Sequence, residues 1–69
     1  MSKISESTRK VIKEQLLRAL NKRSFQSTFS IAEKIGRSWE FTLSLLIELQ
    51  KEGKVKESKI SNVRAWKKV

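Results

Sequence analysis

The stretch SIAEKIGRSWEFTLSLLIELQKEGKV, Ser30 to Val55, decides the fold. Gly36 stands between two segments of helical periodicity, where a turn needs positive φ and glycine reaches it without steric cost. Before it, Ser30 followed by Glu33 fits a capping box, which predicts a short helix 2 over about Ile31 to Ile35. After it, Ser38 suits an N-cap, Glu40 sits in the first turn at the positive end of the macrodipole, and Gly53 suits the carboxyl end. These signals predict helix 3 over about 38–52. At 100° per residue its Phe41, Thr42, Leu45, Leu46 and Leu49 share an arc of about 140°, an apolar face made for packing on other helices.

Toward the amino terminus, Val11, Ile12, Leu16, Ala19 and Leu20 recur at helical spacing. They predict helix 1 over about 6–22, capped by Ser5 or Ser7, with residues 1–5 frayed. Ser24 to Thr28 reads as a connector with room for a short strand, and Phe25 and Phe29 are expected to anchor it. Toward the carboxyl terminus the pattern changes to two Val- and Lys-rich stretches, Lys54 to Lys59 and Arg64 to Val69. Ile60-Ser61-Asn62-Val63 between them suits a four-residue hairpin loop. Val55 and Trp66 are the expected inward residues. Lys54, Lys56, Lys59, Arg64, Lys67 and Lys68 against Glu57, six cations and one anion, leave the hairpin at +5.

The whole chain of 69 residues carries 16 Lys and Arg against seven acidic residues, a net charge of +9. Residues 1–35 hold eight basic and three acidic side chains and residues 36–69 hold eight and four, so the folded body, not a tail, is basic. Such density favours polyanions such as DNA, RNA or anionic membrane surfaces; the bland reading is a well-solvated surface. A domain this small buries only about 60% of the surface its unfolded chain exposes, so nearly every large apolar residue is needed for the core. With no Cys and no His there is neither a disulfide nor a metal staple, and no cofactor or metal is expected. The sequence also lacks Asp and Tyr and has no Gly-rich phosphate loop, which removes the parts of most acid-base and nucleophilic schemes; the expectation is a non-enzyme. The longest apolar run, Leu45-Leu46-Ile47, is far short of the roughly 20 residues a span requires, and no charged-then-apolar leader precedes it, so a cytoplasmic protein without a membrane partner is expected.

Helix, short helix, glycine turn, longer helix and basic hairpin in this order resemble the winged helix-turn-helix family, especially compact bacterial and archaeal regulators of the MarR or Lrp kind. Ile31-Ala32-Glu33-Lys34-Ile35-Gly36-Arg37-Ser38 is similar to the family's LAE(K/R)LG-x-S element. Leu45-Leu46-Ile47-Glu48-Leu49-Gln50-Lys51-Glu52-Gly53-Lys54-Val55 is similar to its LLxxLxxxGxV close. The resemblance implies one α+β domain over 1–69, three helices with a two-stranded C-terminal wing over about 54–69. It further implies a small transcriptional regulator of archaeal or viral type that contacts double-stranded DNA with helix 3 and the wing. A winged helix also serves as a protein-interaction module, alone or within a larger complex component.

Carried onto this sequence, the DNA-contacting positions are Arg37, Ser38, Trp39, Glu40, Ser44 and Lys51 on the turn and helix 3, with Lys54, Lys56, Lys59, Asn62 and Arg64 in the wing. Wing cations suit phosphate clamping, since compact point charges position a duplex without reading it. Trp39, Leu43 and Ile47 depart from the family, forming one apolar ridge where it usually offers Arg, Ser, Thr, Asn or Gln. Three readings of the ridge stay open: packing against the wing near Trp66, a surface for a homodimer or protein partner through helix 3 or helix 1, and direct contact with thymine methyl groups. An RNA-binding role rests on charge and size alone, because no interleaved exposed aromatics are evident.

Overall fold

A computed structural model describes residues 6–60 and 62–69. Its elements are α1 Glu6–Ala19, β1 Gln26–Ser27, α2 Thr28–Ile35, α3 Trp39–Lys51, β2 Val55–Ile60 and β3 Val63–Lys68. The expected wing gains a third strand: β3 lies between β1 and β2, antiparallel to both. The expected frayed residues 1–5, with the Ser5 cap, lie outside the described residues, and Ser7 falls inside α1 rather than at its cap.

Ile12 and Leu16 of α1, with Leu20 just past its end, face the core, whereas Val11, one position and so about 100° away from Ile12, points to solvent. The helix stops at Ala19, three residues before the expected end. Asn21 is the reason: its side-chain Oδ1 accepts from the backbone N–H of Arg23 and of Ser24 at 3.2 and 2.8 Å, offering the chain a turn in place of another helical step. Its carbonyl then accepts from Lys68 N–H, which ties the turn to the end of β3.

Helix 2 begins three residues earlier than the capping-box pattern suggests. Ser27, not Ser30, is the N-cap; its Oγ accepts from Ser30 N–H at 3.1 Å while its backbone stays extended. Pairing of Gln26 with Trp66 and Ser27 with Ala65 holds Ser27 extended up to the helix start, so the sheet chooses the cap. This shift brings residues 28–30 into the helix. Thr28, Ile31 and Ala32 are buried, and the two supposed anchors face outward, Phe25 at its rim and Phe29 with 63% of its surface exposed.

At Gly36 the chain takes φ +68, and the N–H groups of Gly36 and Arg37 close α2 on the carbonyls of Glu33 and Ala32. Ser38 caps α3 by accepting from Phe41 N–H at 3.2 Å. The helix ends before Gly53, again at positive φ, where Lys54 N–H bonds to Leu49 carbonyl and launches β2. Leu45, Leu46 and Leu49 pack with Ile12, Leu16, Leu20, Ile31, Val55 and Trp66 into one core. Trp66 has no exposed surface, and its indole N–H donates to Thr28 Oγ1 at 2.8 Å, so the largest core side chain also satisfies its single donor. The hairpin is tighter than expected: Ile60 and Val63 pair across it and so belong to the strands, with Asn62 at φ +65 and Ser61 outside the described residues. Asn tolerates this conformation better than most residues, which suits a tight hairpin.

Candidate nucleic-acid interface

The wing brings cations face to face. Directly opposite residues of an antiparallel pair project to the same side, so Lys56 stands beside Lys67 and Lys59 beside Arg64. Like charges so placed repel unless an anion comes between them. The wing's single carboxylate, Glu57, is taken by Arg64 Nε; this hydrogen bond, followed by the attraction between the two charges, holds the Glu57 carboxyl below its ordinary range and raises the Arg64 guanidinium. Arg64 also lies over the Trp66 ring at 5.4 Å from its centre, and Lys67 over Phe25 at 4.8 Å. Among the described residues Lys56, Lys59, Lys67 and Lys68 have no ion pair.

Helix 3 presents its first turn beside the wing tip. A cleft of about 430 Å³ opens there, lined by Ser27, Thr28, Phe29, Trp39, Asn62, Val63 and Arg64. Trp39, Asn62 and Arg64 are thus brought together, with Arg37 exposed in the preceding turn. Glu40 is exposed in the first turn of α3. The hydroxyls of Ser38 and Ser44 are engaged locally, Ser38 as the N-cap and Ser44 donating to Phe41 carbonyl at 2.7 Å. Lys51 lies at the far end of α3, about 18 Å along the axis from Trp39. Lys54 stands at the base of β2, 3.6 Å from Glu52, at the opposite end of the strand from the tip.

The ridge of Trp39, Leu43 and Ile47 does not act as one surface. Leu43 and Ile47 are half-buried against the core cluster, whereas Trp39 keeps 47% of its surface exposed. Sequence reasoning missed Phe29 and Val63, the other two exposed apolar walls of the cleft. The signal for Phe29 lay in Ser27 and Thr28: a cap at Ser27 places residue 29 on the outer side of α2. Exposed aromatics therefore do sit among the cations, contrary to the expectation from sequence.

No family model matches the sequence, and no curated protein matches it. Among solved structures it is similar to a crystal structure of a viral Zalpha domain bound to left-handed Z-DNA, with a TM-score of 0.72 and 22% identity over 97% of this chain and 94% of that one. This likeness, with three helices and the antiparallel sheet, makes the fold a winged helix-turn-helix of the α+β class. No helix among the described residues is long and apolar enough to cross a membrane.

Proposed function

We propose that this chain is a non-enzymatic binder of double-stranded DNA that grips the phosphate backbone with its wing and sets the first turn of α3 against the duplex. One observation carries the reading: two cation pairs are held across the hairpin, Lys56 with Lys67 on one face and Lys59 with Arg64 on the other, with a single carboxylate, Glu57, on the second face. Phosphates relieve that repulsion and release counterions as they do so.

The contacts favour recognition of shape over sequence. Base edges are read by hydrogen bonds, and on the outward side of α3 the Ser38 and Ser44 hydroxyls already serve the backbone. A left-handed duplex, the ligand in the similar solved structure, is accordingly the first conformer to compare with an ordinary one. In the cell this activity fits a small transcriptional regulator of archaeal or viral type, and the Ile31–Ser38 and Leu45–Val55 elements support kinship with compact MarR- or Lrp-like regulators.

A salt-resolved titration tests the proposal. Neutralising about five phosphates gives a slope of log K on log salt of roughly −4 to −5. Lys56→Ala with Lys59→Ala lowers its magnitude by about 2. Absence of binding to both right- and left-handed duplexes near 50 mM salt overturns the proposal.

A further inference from the structure

Resting on that duplex-binding reading, we infer that the cleft between Phe29, Trp39 and Val63 takes the flat face of an unpaired nucleobase, so that the protein prefers duplex carrying a bulged nucleotide to fully paired duplex. Three large apolar side chains from three elements, α2, α3 and β3, are exposed around one opening: Phe29 by 63%, Trp39 by 47% and Val63 by 48%. In a domain with so few apolar residues to spare, leaving these outside costs core that a thin stability margin needs.

Several polar atoms deep in the lining are already committed. Thr28 Oγ1 accepts from Trp66 Nε1 and donates to Arg64 carbonyl at 3.3 Å; Ser27 Oγ caps α2; Arg64 Nε is paired with Glu57. The Asn62 side chain, the terminal nitrogens of Arg64 and the Trp39 indole N–H stay available at the edges of the apolar walls. The floor between them is apolar and lacks the donors and acceptors by which the edges of stacked base pairs are read. It matches instead the π-face of a base, which a paired duplex hides between its neighbours and an unpaired nucleotide exposes.

Charge complementarity selects a nucleotide over an apolar protein segment. Arg64 lines the opening from the wing, with Lys59 as its cross-strand neighbour, and Arg37 precedes Trp39 on the helix side, so the phosphates bracketing an extruded base meet cations. The chain as a whole carries +9.

The test titrates the full chain, at one salt concentration, with three duplexes of common sequence: fully paired, with a single unpaired 2-aminopurine, and with an abasic site at that bulge. The bulged duplex binds about 5- to 150-fold more tightly than the paired one, the range expected for stacking a single base on aromatic side chains, and its 2-aminopurine fluorescence is quenched. The abasic bulge, which keeps the flexibility but lacks the ring, returns to the affinity of paired duplex. Phe29→Ala abolishes preference and quenching, while affinity for paired duplex and the salt slope stay unchanged within about twofold; Trp39→Ala, in the turn set against the duplex, also abolishes preference and quenching.

Equal affinity for paired and bulged duplex overturns the inference and leaves duplex binding standing, as does a preference that survives both substitutions. Failure of all three duplexes to bind overturns both. Self-association by sedimentation that is lost in Trp39→Ala, without any bulge preference, reassigns the cleft to a protein contact and equally overturns the inference.

Discussion

Cations line two regions of this molecule and face opposite neighbours. Along the seam between α1 and the end of α3, Arg9 and Lys13 reach Glu48, Lys13 bridges on to Glu52 at 2.8 Å, and Lys54 approaches Glu52 from the start of β2. Each charge there is answered within the chain, and the hydrogen bond from Lys13 leads the effects that hold the Glu52 carboxyl below its ordinary range. On the wing, Lys56 faces Lys67 on one side of the hairpin and Lys59 faces Arg64 on the other, and the single carboxylate, Glu57, is paired with Arg64 and also attracted by Lys59. The same residue types therefore do different work. At the seam they fasten a helix that has no disulfide to help it; on the wing they stand ready for an external anion.

The sharpest way to break this contrast is to neutralise each region in turn. Lys56→Ala, Lys59→Ala and Lys67→Ala together weaken duplex binding by about 10²- to 10³-fold at 0.1 M salt and leave the melting temperature nearly unchanged. Arg9→Ala with Lys13→Ala does the reverse. A comparable loss of affinity from the seam variant contradicts the division.

Next in size is Thr28→Val, which strands the buried Trp66 indole N–H and costs about 1–3 kcal/mol of stability by urea unfolding. Because Thr28 also holds the Arg64 carbonyl, the wing's orientation relaxes with it, and DNA affinity falls although no cation is lost. Thr42 provides the counterpart: its hydroxyl is buried without a partner among the described residues, so Thr42→Val stabilises the protein by up to about 1 kcal/mol and leaves DNA binding untouched.

Smallest is the response to acid. The folded Glu57 and Glu52 carboxyls ionise below their ordinary value, so the stability they contribute is complete above the unfolded value, about pH 4.3, and is lost as pH falls through the folded one. Glu57→Gln removes the wing's share of this loss. Thermal melts between pH 6 and pH 3 resolve it as a shift of a few degrees at most, since exposed ion pairs contribute little.

Much of the scaffold was legible before any coordinates. Gly36, Ser38 and Gly53 mark their turns and caps through local backbone chemistry, and the period of Leu45, Leu46 and Leu49 shows which side of α3 is inward. Val55 and Trp66 were equally readable as inward residues of the hairpin. The misread segment runs from Asn21 to Phe29. Its structure depends on β1 pairing with β3 almost forty residues away, and local signals favoured Ser30 as the cap because they carry no trace of that partner. Two phenylalanines consequently changed sides, and with them the chemistry of the candidate site.

The sequence by itself determined the order of elements, the central apolar helix and the positive hairpin, because caps, glycine turns and periodicity act within a few residues of one another. Only the tertiary structure decided which apolar groups face outward and which cations are answered. Those outcomes follow from strand register and from the start of α2 at Ser27, both set by contacts between residues far apart in the chain.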